Sequence, residues 1–310
     1  MVGIVSATDG PATTVNDLVG APMVIPKRVI NLLANQWVED VLLRDAGPNT
    51  NGLVGYSEST PLYLDSEVED VAEFGEIPVG AGQIGLPRIA VGTKKGLGIR
   101  VSKEMRDENK LDDVNRQITQ LVNTMLRASN RALRALLENP AIPTIAAGAA
   151  WDTASGRPRR DLANAQEVIA AQRPDGALAD DANFEFEADT VVLPGQITPI
   201  LMDNENFLAV YKDGLSTEDI RYTGKLPREV MGMLGLRPRG FATNKVLVVE
   251  RGTVGFRSDT RALQATGLYP EGNGPNGGPT ETWRSDVTRK RVLGIDQPKA
   301  ACWISGVVTP

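Results

Sequence analysis

The chain has 310 residues, of which 33 are basic and 39 are acidic, giving a formal net charge of −6, with no histidine and one cysteine. The lack of histidine removes the commonest general base and the commonest metal ligand, and a single cysteine excludes an intrachain disulfide and any zinc site built on cysteine pairs. We therefore expect no catalytic centre, no cofactor and no metal. The negative charge argues against a dedicated nucleic-acid-binding protein.

The N-terminus has neither the basic region nor the apolar region of a signal peptide, and no apolar run approaches the ~18 residues that a membrane span needs. A soluble protein made in a cytoplasm, with no membrane partner, is therefore expected. Only 5% of the residues are aromatic, whereas glycine (31) and proline (20) are plentiful. This composition favours turns and extended segments over a helical bundle.

Residues 1–25 show little periodicity and are predicted to form an extended arm. A helix is predicted from Pro26, because proline is favoured in the first helical turn. Its apolar residues recur at three- and four-residue spacing, which indicates one buried face. They are Val29, Ile30, Leu33, Trp37, Val38, Val41 and Leu42. Gly47 and Pro48 are expected to end this helix.

Strict alternation from Arg88 to Val101 predicts a β-strand with one apolar face and one small or basic face. The region 61–74 is a second extended candidate, and a turn-rich tip is predicted between them, marked by Gly75, Pro78, Gly80, Gly82 and Gly85. The two strands together predict a hairpin. A lone hairpin is only marginally stable in water, so this ribbon is expected to lie on its own domain or on a neighbouring subunit.

The two arms of the predicted hairpin carry opposite charges. The acids are Asp65, Glu67, Glu69, Asp70, Glu73 and Glu76, and the bases are Arg88, Lys94, Lys95, Arg100 and Lys103. Neither run is interrupted by the opposite charge. Antiparallel pairing of the two arms is therefore expected to set acid against base across the ladder.

The strongest helical pattern runs from Leu111 to Glu138, with one apolar stripe and no glycine or proline before Pro140. At 1.5 Å per residue this helix is predicted to be roughly 42 Å long. Its opposite side carries Arg116, Arg127, Arg131 and Arg134. Three interpretations are open: a solvated face, a contact with acids of a neighbouring chain, or a contact with DNA phosphates. We favour the subunit contact over DNA.

Downstream, the basic stretch Arg157-Pro158-Arg159-Arg160 precedes a helix predicted over 161–173 and capped by Asp161. Another helix is predicted over 197–210. Strands are predicted over 190–193, 245–249, about 282–295 and 299–307, with short extended pieces over 251–269 and an exposed loop over 271–279. Cys302 lies in the last strand and is interpreted as a buried small hydrophobe.

Two further patterns have ordinary explanations. Gly80, Gly82 and Gly85 match G-x-G-x-x-G, but a dinucleotide site needs a helix after the glycines, and here a predicted strand follows. The acidic pairs at 180–181 and 203–205 do not have the spacing of an EF-hand and are interpreted as turn residues.

Three stretches resemble the major capsid proteins of tailed bacteriophages, whose fold encapsulin shell proteins share. Residues 72–78, Ala-Glu-Phe-Gly-Glu-Ile-Pro, look like the tip of the family's E-loop. Residues 89–104, from Ile-Ala-Val to Arg-Val-Ser-Lys-Glu, look like its returning strand, which leads into the spine helix. Residues 282–293, which include Arg-Lys-Arg, and 298–300 are similar to the late P-domain strand and its ending. The order of the predicted elements also matches, from about residue 25 onward.

The resemblance implies an α+β fold of the tailed-phage major capsid type. Its parts would be an N-arm (1–50), an E-loop hairpin (51–101), a P-domain with the long spine helix (102–160 and 242–297) and an A-domain with mixed sheet and helices (161–241 and 298–310). It also implies a virion protein without enzymatic activity, assembled in the host cytoplasm. Its copies would form pentamers and hexamers of an icosahedral shell that encloses double-stranded DNA.

Charged residues are the candidate intersubunit contacts: Glu67, Glu69, Glu73, Glu76, Arg88, Lys94, Arg127, Arg131, Arg134, Arg157, Arg159 and Arg160. Other implied partners are a portal, decoration proteins and, by non-specific contact, the packaged DNA. The chain begins at Met1 and reaches the long helix within about a hundred residues, so a separate scaffolding protein is expected instead of a cleaved segment. Some members crosslink through an E-loop lysine. The tip here has none, so no crosslink is expected.

Three alternatives remain open at this point. An encapsulin nanocompartment would have the same fold around an enzyme cargo. A tail or head-completion protein would form rings instead of closed shells. An α+β enzyme would be a monomer or a small oligomer.

Overall fold

A computed structural model describes residues 14–15, 24–34, 36–61, 63–64, 66, 68–174, 183–208, 229–238, 241, 244–274 and 277–309. The arm predicted over 1–25 lies almost wholly outside these residues. Helices run in chain order over α1 Val24–Leu33, α2 Val38–Leu42, α3 Lys103–Asp107, α4 Leu111–Leu137, α5 Pro158–Ala170, α6 Ile197–Asp203 and α7 Glu205–Leu208.

The strands are β1 Arg44–Asp45, β2 Leu53–Glu58, β3 Leu86–Val91, β4 Thr93–Ser102, β5 Thr144–Ala146, β6 Thr190–Val192, β7 Glu229–Val230, β8 Met233–Leu236, β9 Lys245–Val249, β10 Phe256–Ala265, β11 Tyr269–Pro270, β12 Thr282–Gly294 and β13 Ala301–Ser305. One sheet has the order β1-β10-β12-β11, with β4 also paired to β12, and another has β5-β13-β9-β6-β8-β7. Strands β2 and β3 form a two-stranded ribbon. Helices combined with such mixed sheets make an α+β fold, which confirms the predicted class.

The chain divides into two compact units. Unit 1 takes its described residues from Met1–Trp37, Gly92–Ser129 and Asp259–Arg291. Unit 2 takes its described residues from Val38–Val91, Asn130–Ser258 and Val292–Pro310. Each unit has its own hydrophobic core.

The core of unit 1 combines one side of α4 with the ladder of β4 and β12. Its buried residues include Ile25, Val29, Leu33, Trp37, Ile99, Val101, Ile118, Leu121, Met125, Trp283 and Val287. The apolar stripe of α4 is buried here because its residues recur every three or four positions. Asp112 and Asp113 occupy the first turn of α4, where negative charge interacts favourably with the helix dipole.

The core of unit 2 centres on β9 and β13, which pair antiparallel with Cys302 opposite Val248. Both strands are buried along almost their whole length. Such strands have near-continuous apolar sequences, because both faces of the sheet are covered. The Trp303 indole Nε1 donates a hydrogen bond to the Leu137 carbonyl oxygen at 2.7 Å, which satisfies the one polar group of this buried ring.

Several predicted elements are confirmed. The long helix is α4, with 27 residues and a length of about 40 Å. The predicted strands at 190–193, 245–249, 282–295 and 299–307 correspond to β6, β9, β12 and β13. Residues 251–269, predicted as short pieces, instead contain the ten-residue strand β10.

The helix predicted to continue from Pro26 to Gly47 is instead two helices, α1 and α2. Its apolar residues belong to two cores: Val29, Leu33 and Trp37 are buried in unit 1, and Leu42 is buried in unit 2. Both segments contribute apolar residues at helical spacing, so the periodicity continued across the break and concealed it.

The cap predicted at Asp161 is wrong, because α5 begins at Pro158. Proline is favoured there since its fixed φ suits the first helical turn. Asp161 is instead buried, and its carboxylate accepts hydrogen bonds from Trp151 Nε1 at 2.8 Å and from the Gly148 amide at 3.1 Å. It therefore joins α5 to the segment before it.

The single helix predicted over 197–210 is interrupted at Asn204, and residues 209–210 lie outside the described residues. The Asn204 side-chain oxygen accepts from the Phe207 amide at 2.9 Å, and its amide nitrogen donates to the Trp151 carbonyl at 2.9 Å. Asn204 thus caps α7, in the way that asparagine commonly caps helices.

Candidate functional site

The ribbon of β2 and β3 has one face packed on unit 2. Its register places Val54 opposite Ala90 and Tyr56 opposite Arg88. This face packs on Phe256 and Val292, and the Tyr56 and Phe256 rings meet edge to face with their centroids 5.2 Å apart. Burial, followed by the charge of Glu58, raises the pKa of the Tyr56 hydroxyl above its usual value.

The opposite face of the ribbon is apolar and exposed to solvent. Leu53 lies directly across from Val91, and Ile89 lies on the same face of the ladder. Leu53 is 54% exposed, Ile89 73% and Val91 66%. Single exposed apolar residues are ordinary, whereas a contiguous exposed group of this kind marks an interaction site.

The loop between β2 and β3 continues this exposed surface. Its large apolar residues are at least 75% exposed at Val68, Phe74, Ile77, Val79 and Ile84. Phe74 is fully exposed and occupies a turn with φ +67°, in which the Gly75 amide donates to the Ala72 carbonyl at 2.8 Å. Phe74 thus adds an aromatic ring to the exposed apolar residues of the loop, and it is this group, not one side chain, that is typical of an interaction surface.

The root of the ribbon is held by a compact set of contacts within unit 2. The Ser59 amide donates to the Asp296 carbonyl at 2.8 Å, and Arg88 forms an ion pair with the buried Glu58 at 2.7 Å. A Cβ at Gly85 would lie 1.9 Å from the Glu58 carbonyl oxygen, so only glycine fits where the loop returns to the ribbon. Burial raises the pKa of the Asp296 carboxyl, while its ion pair with Arg44 acts in the opposite direction.

Chemistry at a catalytic centre is not indicated by the described part of the chain. It contains no group of three or more Cys, Asp or Glu residues that would hold a metal ion. Cys302 is buried, and burial raises the pKa of its thiol to about 11. Over the same residues, no helix is both long and apolar enough to cross a membrane.

Comparison with protein families covers β3 and most of the chain that follows it. The family described as phage capsid protein matches residues 85–296, which is more than half of the chain. The chain belongs to the phage capsid protein family. No curated protein sequence matches it.

Solved structures extend this likeness to the whole capsid protein fold. A structure from Microbacterium phage Oxtober96 is 14% identical, with 90% of this chain and 98% of that chain covered and a TM-score of 0.54. The capsid of Myoviridae phage XM1 is 12% identical, covering 86% and 89%, with a TM-score of 0.50. The SrpI encapsulin complex from Synechococcus elongatus PCC 7942 is 12% identical, covering 89% of both chains, with a TM-score of 0.53. At these identities the likeness shows the fold alone.

The acid-against-base ladder expected in this capsid protein is wrong. No strand is assigned to the described residues of 61–74. The strand predicted over 88–101 is two strands, because β3 ends at Val91 and pairs with β2, while β4 pairs with β12. The alternation continues through Gly92, so the period of two did not reveal the break.

The charged residues that were predicted as intersubunit contacts on the hairpin differ from one another in their surroundings. Glu67 lies outside the described residues. Glu69, Glu73 and Glu76 are exposed and have no ion-pair partner among the described residues. Arg88 is paired within its own ribbon to Glu58, and Lys94 is exposed on β4.

The predicted basic contacts on helices are dispersed. In unit 1, Arg127 is exposed on α4. In unit 2, Arg131 is exposed on α4, whereas Arg134 forms an ion pair with Glu138 at 2.9 Å. Around the start of α5, Arg157 and Arg160 are exposed and Arg159 is half-buried.

Sequence reasoning missed the exposed apolar residues of the ribbon. Ile89 and Val91 were assigned to the same buried face as Ile99 and Val101, and only the latter two are buried. The loop after Tyr63 carries a signal of this exposure. Its apolar residues do not alternate with polar residues, as the residues of a half-buried strand do.

Proposed function

We propose that this chain is the major capsid protein of a tailed bacteriophage, whose copies close as pentamers and hexamers into an icosahedral shell around double-stranded DNA. The observation that supports the proposal is the exposed apolar face of the ribbon together with its exposed loop. Both belong to a chain of the capsid family, and both lack a covering element among the described residues. A second copy of the chain is the partner that supplies one.

The contact has the energetic character that shell assembly needs. Complete burial of a valine, leucine or isoleucine side chain contributes roughly 1.5–3 kcal/mol. Association costs several kcal/mol in lost freedom, so a few such residues give a contact that is weak alone. Because every subunit repeats the contact, the closed shell is stable in sum, while a single wrongly placed subunit can still dissociate during assembly.

The geometry also favours rings. A ribbon on one side of a subunit that docks on a different surface of the next subunit makes a head-to-tail contact, and such contacts close into rings when the rotation permits. Rings of five and six subunits are the units that the proposal requires. The apolar face would form the centre of this contact, and the charged residues predicted above would surround it.

The proposal includes the subdivision inferred from the sequence. The N-arm would be 1–50, the E-loop 51–101, the P-domain 102–160 with 242–297, and the A-domain 161–241 with 298–310. A scaffolding protein, a portal and decoration proteins would be the other partners. Assembly would take place in the bacterial cytoplasm, and packaged DNA would meet the shell without sequence specificity.

The test is to make the exposed ribbon face polar. We expect Leu53→Thr, Ile89→Thr and Val91→Thr together to abolish closed shells in electron micrographs, while wild type forms them. Threonine suits a strand, and substitutions at exposed sites usually change subunit stability by less than about 0.5 kcal/mol each. The subunit should therefore remain folded by circular dichroism.

The matched control keeps the same positions apolar, with Leu53→Ile, Ile89→Val and Val91→Ile. This control variant is expected to assemble as wild type does. Normal shells from the threonine variant would contradict the proposal, as would a wild-type chain that stays monomeric at high concentration.

The encapsulin compartment is the second candidate, favoured by the likeness to the Synechococcus encapsulin complex at a TM-score of 0.53. The contents of purified particles distinguish the two. Packaged DNA supports the phage capsid, and a protein cargo without DNA supports the compartment.

A further inference from the structure

Two pairs of bases face each other across the β4–β12 ladder in unit 1. The register places Arg100 opposite Arg284 and Lys94 opposite Lys290. Positions 94 and 100 are an even number of residues apart, so both pairs lie on the same face of the ladder, about 20 Å from each other along the strand. Like charges directly opposite each other destabilise a strand pair. Each pair therefore provides a favourable position for an anion.

The arginine pair is bridged by a carboxylate of its own chain. Arg100 Nη2 lies 2.5 Å from Glu271 Oε1, and Arg284 Nη1 lies 3.8 Å from the same oxygen. The hydrogen bonds that Arg100 and then Thr282 donate lower the pKa of the Glu271 carboxyl, which keeps it ionised. Arg284 lies closer to Asp286, at 2.6 Å, so Arg100 is the main partner of Glu271, and the face binds carboxylates beside its two opposed arginines.

Lys94 and Lys290, which we call the lysine pair, differ in this respect. Lys94 is exposed and Lys290 is half-buried, and neither has an ion pair or a side-chain hydrogen bond with any residue that the structure describes. On β10, which pairs with β12, Asp259 is bound to Arg291 at 2.6 Å and lies 3.5 Å from Arg289. On β12 itself, Asp286 shares the face of Lys290 and is bound to Arg284 at 2.6 Å. Both acids are therefore already paired with arginine.

Short side chains of β12 occupy the surface between the two pairs. Gly96 and Gly98 lie between Lys94 and Arg100 on this face. A Cβ at Gly98 would lie 2.2 Å from Asp286 Oδ1, and one at Gly96 would lie 3.0 Å from the Thr288 side chain. The two glycines of β4 therefore leave space that Asp286 and Thr288 fill, and no large side chain of β4 stands between the two pairs.

We propose that the lysine pair binds the carboxylates of Glu73 and Glu76 at the loop tip of a second copy, a contact that rests on the proposed shell function. The two glutamates flank the fully exposed Phe74 and have no ion-pair partner in the described part of the chain. Their chemistry is that of Glu271, the group already bound by the equivalent arginine pair. Two sets of opposite charge, each lacking a partner among the described residues of its own copy, are thereby neutralised.

The contact is head-to-tail, because the tip and the lysine pair are different surfaces of the chain. Every copy then supplies one tip and one lysine pair, so the same contact repeats around a ring. Exposed ion pairs contribute about 0–1 kcal/mol each and are screened by salt. Their main contribution is to fix which surface the apolar ribbon meets, since opposite charges select a partner and like charges reject one.

A charge exchange tests the proposal. Lys94→Glu with Lys290→Glu changes the net charge from −6 to −10, and Glu73→Lys with Glu76→Lys changes it from −6 to −2, so the fourfold variant returns to −6. We expect each double variant to lose closed shells at low ionic strength. The fourfold variant, with the charges exchanged between the two surfaces, is expected to regain them. Circular dichroism and thermal unfolding check that all three subunits fold.

Each contrary outcome has a definite meaning. Shells of the lysine double variant that match wild type would refute the contact. Loss without recovery in the fourfold variant would refute the loop tip as the occupant. Intact shells with reduced nucleic-acid content would assign the lysine pair to phosphates instead. If wild type forms no shells, the proposed function fails separately. A synthetic peptide of residues 68–84 then decides the contact, by binding wild type and not the lysine double variant.

Discussion

Strands β13 and β3 are built from similar residues and have opposite surroundings. In β13, Ala301, Cys302, Trp303 and Ile304 are at most 3% exposed. In β3, three of the six residues are large and aliphatic and are 66–73% exposed: Leu86, Ile89 and Val91. Both strands have a partner in the ladder, so backbone pairing does not explain the difference. The side chains of β13 are covered by their own chain, whereas these three side chains of β3 are not covered by any residue that the structure describes.

The comparison separates two kinds of apolar strand. Burying β13 stabilises the subunit, whereas burying the outer face of β3 would stabilise an assembly. A hydrophobic sequence indicates only that removing its surface from water is energetically favourable. It does not report whether the covering surface belongs to the same copy. The first test of this comparison therefore truncates one side chain in each strand.

The largest expected effect is the loss of stability that the substitution Trp303→Ala causes in unit 2. The indole is buried and bonded to the Leu137 carbonyl, and removing a buried tryptophan or phenylalanine ring costs about 3–5 kcal/mol. Urea denaturation followed by circular dichroism measures the loss. The control is Ile89→Ala, which removes an exposed aliphatic side chain and should cost less than about 0.5 kcal/mol. Equal losses in the two variants would show that the ribbon face is buried within the subunit.

The parts that sequence predicts well are those whose packing is local or self-contained. Helix α4 is recognised because its apolar residues keep the helical period over 27 positions and proline follows. Strands β9 and β13 are recognised because each contains a continuous apolar run, Val246–Val249 and Ala301–Ile304, which indicates burial on both faces. Neither inference needs knowledge of a partner strand.

The remaining features depend on contacts that are distant in sequence. Strand β4 pairs with β12, about 180 residues later, and alternation in either strand is compatible with many partners. Asp161 resembles a helix cap in sequence because aspartate is common there. Its actual partner, Trp151, is recognisable only after the chain has folded. The exposure of Ile89 is hidden for the further reason that its proposed partner is another copy.

A second, smaller loss of stability is expected from Asp161→Ala, which tests a buried polar contact in the same unit as β13. The substitution leaves the Trp151 indole N–H and the Gly148 amide without their acceptor. A buried donor left unsatisfied costs about 1–3 kcal/mol. The urea midpoint, followed by tryptophan fluorescence, should fall accordingly. Asp161→Asn retains one side-chain oxygen and should lose less. An Asn variant as unstable as the Ala variant would assign the effect to the negative charge.

The smallest effect on stability and the most direct comparison come from two thiols, one in each strand. Burial raises the pKa of Cys302 to about 11, so at pH 8 only about one thiol in a thousand would be the reactive thiolate. Cys302 should therefore resist a maleimide in free subunits and in shells, and react once urea unfolds the chain. Ile89→Cys adds a thiol on the exposed ribbon face. It should react within minutes in free subunits and become protected when shells form, because the proposed contact covers it. A thiol at position 89 that reacts equally fast in both states would show that the ribbon face stays in water after assembly. The contrast between β3 and β13 would then need another explanation than a second copy.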